Sequence, residues 1–173
     1  LGSQGAAYIE GTHLAGASVA VTAQGATRFT GSTAEADGLL RLEGQGVSTA
    51  GSQLIADRVQ IDGRDGALDN RGGQLQARSD RADALDVRAS SLDNTGGELW
   101  SKGGVRLNTP NGVDNTGGRI DAARADIAPM ALLNNQDGVV YTQADLHLQL
   151  GQLQNTGGAV ISTVNGPVLM GDR

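Results

Sequence analysis

An eight-residue phrase occurs five times between residues 68 and 160, and it constrains the fold of this chain more than any other feature. Each copy reads apolar, polar, Asn, any residue, Gly, Gly, any residue, apolar, with one departure in the fourth copy. The shared asparagines are Asn70, Asn94, Asn115, Asn135 and Asn155, so successive copies are 24, 21, 20 and 20 residues apart. A nearly fixed period of this length predicts a solenoid, in which each repeat forms one coil.

The centre of the phrase predicts a tight corner between two short strands. Asn and Gly adopt backbone conformations with positive φ at low cost. The flanking residues alternate, as in Leu75-Gln76-Ala77, and a period of two indicates a strand with one buried face. A second short strand at mid-period is indicated by Val105-Arg106-Leu107 and Leu146-His147-Leu148. Frequent glycines argue against helices, because each costs about 1 kcal/mol in a helix interior. The repeat therefore predicts a coil of a parallel β-solenoid.

The asparagines of the phrase are expected to point inward and to form a ladder. A coil cannot bury its apolar face alone, so it stacks on neighbours about 4.8 Å away, with equivalent residues above one another. A buried amide is costly unless it is hydrogen-bonded, and a column of amides can pair each one with the next. The alternative is that each amide bonds only the backbone of its own turn, and both can coexist. The predicted ladder is Asn70, Asn94, Asn115, Asn135 and Asn155, and the predicted turn glycines are Gly72, Gly73, Gly96, Gly97, Gly117, Gly118, Gly138, Gly157 and Gly158.

Residues 1–67 lack the asparagine phrase but keep the same spacing. Val19, Leu40 and Val59 each open a short alternating run and are 21 and 19 residues apart. We expect about three diverged coils here, in register with the repeats of residues 68–173, so that one continuous solenoid has about eight coils of roughly 20 residues. A separate small β domain is the alternative.

The repeated phrase resembles the repeats of filamentous haemagglutinin and of the contact-dependent growth inhibition proteins, which are exoproteins of bacterial two-partner secretion. The fourth copy departs, with Gln136-Asp137 before its glycine. The resemblance implies a right-handed parallel β-helix, secreted to the bacterial cell surface with an outer-membrane secretion partner for the full-length protein. It also implies attachment to a receptor or glycan on host cells or other bacteria. The alternative is a passive stalk that presents the receptor-binding or toxin region of a growth-inhibition protein.

Composition excludes several other classes. Aromatic residues make up only 2% of the chain, which suits a thin interior better than a thick globular core. The net charge of −6 disfavours nucleic acid as a partner. Cysteine is absent, which excludes disulfides and thiolate metal sites. No apolar run is long enough to insert into a membrane. Because no signal peptide begins the chain, we expect it to be a segment of a longer protein.

No set of residues predicts catalysis, a cofactor or a metal site. His13 and His147 are far apart in sequence and lack ligand-like neighbours. Some β-helices are polysaccharide lyases or hydrolases, and an enzyme of this type is the least favoured hypothesis. Asp69, Asp93 and Asp114 share one outward position, where a solvated column is favoured over a shared Ca²⁺. The mixed arginines and aspartates of residues 57–88 predict surface ion pairs, and residues 79–83 predict a polar loop at one corner.

One outward position predicts a binding surface. In successive coils it holds Gln76, Trp100, Asp121, Tyr141 and Ile161. If the coils stack in register, Trp100 and Tyr141 lie on one face two coils apart, where exposed rings can stack on sugars or contact a protein. The alternative is that these rings only cover neighbouring side chains. We therefore take Trp100, Tyr141 and Ile161 as candidate surface-binding residues.

Overall fold

The computed structural model describes residues 1–162 and 168–171, which form strands and turns without a helix. Short strands alternate with longer ones that continue around a corner. In chain order the strands are β1 (Gly2–Ser3), β2 (Ala7–Glu10), β3 (His13–Gly16), β4 (Val19–Ala23), β5 (Thr27–Thr30), β6 (Thr33–Glu43), β7 (Val47–Ser48), β8 (Gln53–Asp62), β9 (Leu68–Asp69), β10 (Gln74–Ala77), β11 (Leu85–Arg88), β12 (Leu92–Asp93), β13 (Glu98–Asn108), β14 (Val113–Asp114), β15 (Arg119–Asn134), β16 (Val139–Thr142), β17 (Leu146–Gln154), β18 (Ala159–Ser162) and β19 (Val168–Gly171).

These strands stack in parallel on three faces of a coil. Face A contains β2, β5, β7, β9, β12, β14 and the ends of β15 and β17. Face B contains β3, β10, β16, β18 and the first parts of β6, β8, β13 and β15. Face C contains β1, β4, β11, β19 and the remaining parts of the longer strands. The predicted parallel β-solenoid is confirmed, with about 8 turns of roughly 20 residues.

The register places equivalent residues of the repeats directly above one another. On face A, Leu68 pairs with Leu92, which in turn pairs with Val113. The same face continues from Val113 to Leu133 and from Leu133 to Leu153. The period of the sequence is therefore the period of the coil, as the repeated phrase predicts.

The first coils join the same stacks. Val19 pairs with Leu40, and Leu40 pairs with Val59, so the spacing seen in the sequence is a true register. On face B, Leu54 pairs with Leu75, and on face A, Val47 pairs with Leu68. Strand pairing therefore passes across residue 67 without a break.

The core is a narrow column of inward side chains. Along most strands buried and more exposed residues alternate, as in Val19–Ala23 and Gln74–Ala77. This is the two-residue period of a sheet with one buried face. The largest fully buried side chains are Phe29, Leu40, Leu42, Leu54, Leu68, Leu75, Leu85, Leu92, Leu99, Leu107, Ile120 and Ile127. Phe29 is the only ring among them, which explains how the solenoid forms a core with so few aromatic residues.

The long first repeat places its extra residues in a loop, as predicted. Residues 78–84 connect β10 to β11 at the corner between faces B and C. In the next coil, Gly103 and Gly104 continue β13 directly beneath this loop, and the Gly104 N–H donates to the Arg81 carbonyl over 2.8 Å. A Cβ on Gly104 would overlap the Ala82 carbonyl. The glycine pair therefore makes room for the loop, which the sequence pattern did not predict.

Thr109 provides a test of packing inside the coil. It is fully buried, and its Oγ1 has no hydrogen-bond partner among the described residues. Thr109→Val keeps the shape of the side chain and removes an unpaired hydroxyl, so we expect the free energy of unfolding to rise by about 1 kcal/mol. The measurement is urea denaturation followed by circular dichroism.

The matched control is Thr27→Val. Thr27 is equally buried, but its Oγ1 donates to the Glu43 carbonyl over 2.8 Å. We expect this change to lower stability by about 1 kcal/mol, because the carbonyl loses its partner. Equal losses of stability in Thr109→Val and Thr27→Val would contradict the conclusion that the Thr109 hydroxyl is unpaired.

Candidate functional site: the asparagine corners and the coil surfaces

The asparagine of each phrase lies at the end of a face A strand and points into the coil. Four of the five, Asn70, Asn94, Asn115 and Asn135, have no exposed surface, whereas Asn155 is partly buried. The short strand before each asparagine alternates one inward apolar residue with one outward polar residue, as in Leu92-Asp93. The next residue must therefore face inward, and this places a polar amide in the core.

The five side-chain amides form one continuous hydrogen-bonded ladder. The Asn70 Nδ2 donates to the Asn94 Oδ1 over 2.8 Å, and the Asn94 Nδ2 donates to the Asn115 Oδ1 over 2.7 Å. The next two bonds, from Asn115 to Asn135 and from Asn135 to Asn155, are also 2.7 Å long. Every amide except the last therefore donates to the following coil.

The same amides also bond their own turns, so the two alternatives for the asparagine coexist. The Asn94 Nδ2 donates to the Gly97 carbonyl over 3.3 Å, and the Asn115 Nδ2 donates to the Gly118 carbonyl over 3.4 Å. Asn70 and Asn135 make the equivalent bonds. An asparagine amide has two N–H donors. One serves the ladder, and the other faces both the carbonyl of its own turn and a backbone carbonyl of the next coil, which for Asn94 is that of Arg119 at 3.4 Å. The ladder bonds are the shorter of the two sets.

The ladder begins at a threonine. The Thr49 Oγ1 donates to the Asn70 Oδ1 over 2.7 Å, and Thr49 is fully buried. One coil earlier the equivalent position holds Phe29, which cannot continue a polar column. At the other end, the Asn155 Oδ1 accepts from Asn135, and among the described residues the Asn155 Nδ2 has no hydrogen-bond partner. Thr49 was not among the predicted ladder residues, although it lies one period before Asn70.

The corner extends to all eight coils in a modified form. The first three corners have inward Ile9, Phe29 and Thr49 instead of asparagine. Like the later corners, they each have a left-handed glycine two residues further on, at Gly11, Gly31 and Gly51, with φ between 53° and 63°. The next residue is Thr12, Ser32 or Ser52, where the asparagine corners have glycine. The corner therefore occurs eight times, and in the first three coils a Gly-Ser or Gly-Thr pair takes the place of the glycine pair.

The two glycines of the phrase have different functions. The first is left-handed, with φ near 60° at Gly72, Gly96 and Gly117. The second does not have positive φ. A Cβ on Gly97 would clash with the Asn70 carbonyl and lie 2.6 Å from the Asn94 Oδ1. The second glycine still belongs to the turn, because its N–H donates back to the asparagine carbonyl, as from Gly97 to Asn94 over 2.9 Å. Glycine is required there because the inward amide occupies the space of a Cβ.

Asp137 replaces the first glycine in the fourth copy without changing the corner. Its φ is 52°, close to that of the glycines it replaces. Aspartate tolerates the left-handed region better than most residues do. The Asp137 N–H donates to the Thr156 carbonyl over 3.0 Å, as Gly117 does to Gln136 over 2.8 Å. The ladder therefore passes through this corner unbroken.

The aspartates beside the ladder stabilise the turns. Asp69, Asp93 and Asp114 stack in register on the outside of face A. The Oδ1 of each accepts from the backbone N–H two residues later, over 3.1, 3.0 and 3.0 Å, which is the geometry of an Asx-turn. Hydrogen bonds from the Arg71 guanidinium hold the pKa of Asp69 below its usual value. Each carboxylate therefore has a partner in its own corner.

The arginines and aspartates around residues 57–88 form the predicted ion pairs. Arg58 pairs with Asp83 over 3.2 Å and Arg71 with Asp69 over 2.7 Å. Arg78 approaches both Glu35 and Asp57. The contacts are on the surface, where an ion pair contributes at most about 1 kcal/mol.

The candidate surface residues lie in one column on face B. Gln76 pairs with Trp100, Trp100 with Asp121, and Asp121 with Tyr141, followed by Ile161. Trp100 and Tyr141 are partly buried, and Ile161 is 42% exposed. Between the two rings, Asp121 is held by Arg119 through an ion pair of 2.7 Å. The rings are therefore two coils apart on the same face, as the spacing predicts.

The two histidines lie outward on separate coils. The His13 Nδ1 is 2.6 Å from the Thr33 Oγ1, and the His147 Nδ1 is 3.0 Å from the Asp126 Oδ1. Within residues 1–162 and 168–171, no three His, Asp or Glu side chains converge as metal ligands would. Nor does that part of the chain contain a helix with the length and apolar character needed to span a membrane.

Comparisons with protein-family models, with curated proteins and with solved structures found no match.

Removing a central amide of the ladder should lower the free energy of unfolding strongly. Asn94→Ala leaves the Asn70 Nδ2 and the Asn115 Oδ1 without their partners, so we expect a loss of about 3 kcal/mol in the free energy of unfolding. Asn94→Asp keeps the volume but replaces a donor with an acceptor facing Asn115, and it should cost a similar amount. Chemical denaturation measures both, with the exposed Asn111→Ala as control. A loss no greater than that of Asn111→Ala would contradict the ladder's contribution.

Replacing the first or the second glycine of one corner by alanine should lower stability by different amounts. Gly96→Ala puts an alanine in the left-handed region, which should lower the free energy of unfolding by about 1 kcal/mol. No atom lies close enough to clash with the added Cβ. Gly97→Ala forces the added carbon against the Asn70 carbonyl and the Asn94 amide, and we expect about 3 kcal/mol. Thermal unfolding of the two variants provides the measurement, and the reverse order would contradict the steric account.

Proposed function

We propose that this chain is a structural and adhesive stalk segment of a secreted bacterial surface protein of the haemagglutinin type. The observation that carries the proposal is the amide ladder, which runs through five successive coils at bonds of 2.7–2.8 Å. A column of this kind fixes each coil on the next and makes a rod of constant rise. About eight coils at about 4.8 Å each span about 40 Å. The repeats therefore supply reach and stiffness.

The distribution of variable residues supports a binding role for the surface. In the five coils with an asparagine, the inward position of the corner keeps the same residue, because the ladder requires it. The outward column of face B instead changes from Gln76 to Trp100, Asp121, Tyr141 and Ile161. Because these positions are free of the constraints of the interior, they can carry specificity. Two large rings in this column favour contact with a receptor or glycan.

A passive stalk is the second candidate, and a different observation favours it. The surface is rich in ion pairs, and the exposed large apolar side chains among the described residues are Leu1, Tyr8 and Ile161. A surface of this kind suits a spacer that avoids association. In this case the receptor-binding or toxin region lies elsewhere in the longer protein.

The two candidates differ in what the isolated chain binds. We expect the chain to bind host or bacterial cells or a glycan array, and the double variant Trp100→Ala/Tyr141→Ala to reduce this binding by about tenfold or more. Tyr8→Ala is the matched control, since this ring is 69% exposed on face A. Flow cytometry with labelled protein measures the effect.

The folded state of each variant is checked by circular dichroism before binding is compared. If the double variant binds as well as the wild-type chain, Trp100 and Tyr141 are not the binding surface. No binding by the wild-type chain to any cell or glycan would favour the passive stalk.

A further inference from the structure

Three arginines on the outside of face C differ from the others in their contacts. Arg88, Arg106 and Arg124 are exposed, and among the described residues none of the three has an ion pair or a side-chain hydrogen bond. By contrast, Arg28 lies over the Tyr8 ring at 5.7 Å. The other arginines in this part of the chain form ion pairs; they are Arg41, Arg58, Arg64, Arg71, Arg78, Arg81 and Arg119.

These three arginines form a diagonal line across successive coils. Arg106 pairs in register with Asp86, and Arg88 lies two residues further along the earlier strand. Arg124 pairs with Gly104, two residues before Arg106. Each step therefore moves one coil along the axis and two residues along a strand, or about 8 Å between Cα positions. We call Arg88, Arg106 and Arg124 the arginine diagonal.

Two depressions meet at the centre of the diagonal. The larger, of about 340 Å³, is lined by Gln60, Asp86, Arg88, Arg106 and Asn108 among others. The smaller, of about 230 Å³, is lined by Arg106, Arg124 and Asp126 among others. Arg106 thus separates two parts of one groove. The groove follows the coil axis over several coils, so a long repeating ligand can lie along it.

Carboxylates alternate with these arginines. In the column of Arg106 the neighbours in register are Asp86 and Asp126, and Asp126 also contacts His147. Asp86 is partly buried, and burial raises the pKa of its carboxyl group. Across the groove, positive and negative side chains are balanced; they are Arg41, Arg88, Arg106 and Arg124 against Asp62, Asp86, Asp126 and Asp145.

This composition excludes several partners. A densely charged polyanion would meet as many carboxylates as guanidinium groups, which removes the net attraction such ligands need. A protein interface has an apolar centre depleted of charged residues, but Ile61, the large apolar residue of the larger depression, is only 2% exposed. The groove offers arginine guanidinium groups, which donate hydrogen bonds, and aspartate carboxylates, which accept them. Sugar hydroxyls do both.

We infer that this groove binds an acidic polysaccharide whose carboxylates are separated by neutral sugar rings. The arginine diagonal holds the carboxylates through charge-assisted hydrogen bonds, and the aspartates with Gln60 and Asn108 hold the hydroxyls. The inference gives a ligand class to the adhesive function proposed above, and in that sense it rests on it. It uses a different face from Trp100 and Tyr141, so the two can be tested separately.

The probe is a hyaluronan hexasaccharide, in which uronic acids alternate with neutral rings, titrated into the purified chain by calorimetry. We expect Arg106→Gln and Arg88→Gln each to weaken binding about tenfold. The control is Arg71→Gln, which makes the same change in net charge outside the groove, at a corner position where other copies have Thr or Gln. It should leave the affinity unchanged. The carboxyl-reduced hexasaccharide should also bind about tenfold more weakly than the acidic form.

Several results would overturn the inference. They are no binding of the hexasaccharide, equal affinity for its reduced form, tighter binding of a heparin hexasaccharide, or an equal effect of Arg71→Gln and Arg106→Gln. If the hexasaccharide fails while binding that depends on Trp100 and Tyr141 persists, the inference fails and the proposed function stands. If both kinds of binding are absent, both fail.

Discussion

A buried amide must find hydrogen-bond partners, and this requirement determines how the coils of this protein stack. An asparagine at the inward position of each corner is costly alone, but it is satisfied when the next coil places an identical amide directly beside it. Only parallel coils in strict register do this. The bonds of 2.7–2.8 Å between successive amides therefore specify register, whereas the apolar core alone would tolerate a shift of two residues, which keeps the same side chains inward. A shift of one residue would also turn every inward side chain outward.

The same requirement explains the rest of the corner. The inward amide occupies the space where a Cβ of the second glycine would lie, so Asn94 and Gly97 belong together. In the first three coils the inward residue is Ile9, Phe29 or Thr49, and serine or threonine replaces that glycine. Insertions are excluded from the corner and occur elsewhere in the coil, as in the loop of residues 78–84, where Gly103 and Gly104 of the next coil make room. The outward positions remain free to vary, and both proposed binding surfaces lie there.

Much of this could be predicted from the sequence because the phrase is periodic. Repetition at about 20 residues indicated the solenoid, and inward alternation indicated the asparagine column and the shared face of Trp100 and Tyr141. The separate purposes of Gly96 and Gly97 could not be predicted, since a glycine required by φ and one required by space look the same in a sequence. Thr49 was missed because nothing in the sequence distinguishes a threonine that caps the ladder from any other threonine in a diverged corner. Only the register with Asn70 shows its contact. The arginine diagonal was missed because it crosses strands, and its spacing depends on how the loop of the long repeat is accommodated.

Hydrogen exchange of the asparagine side-chain amides tests the ladder most directly. In a ¹⁵N-labelled sample, the Nδ2 protons of Asn94 and Asn115, which are buried and bonded to the next coil, should exchange with deuterated solvent far more slowly than those of the exposed Asn111. The Asn155 amide, whose Nδ2 has no partner among the described residues, should exchange at an intermediate rate. Exchange of Asn94 and Asn115 at the rate of Asn111 would contradict the account, because it would show that the amides do not hold the coils together.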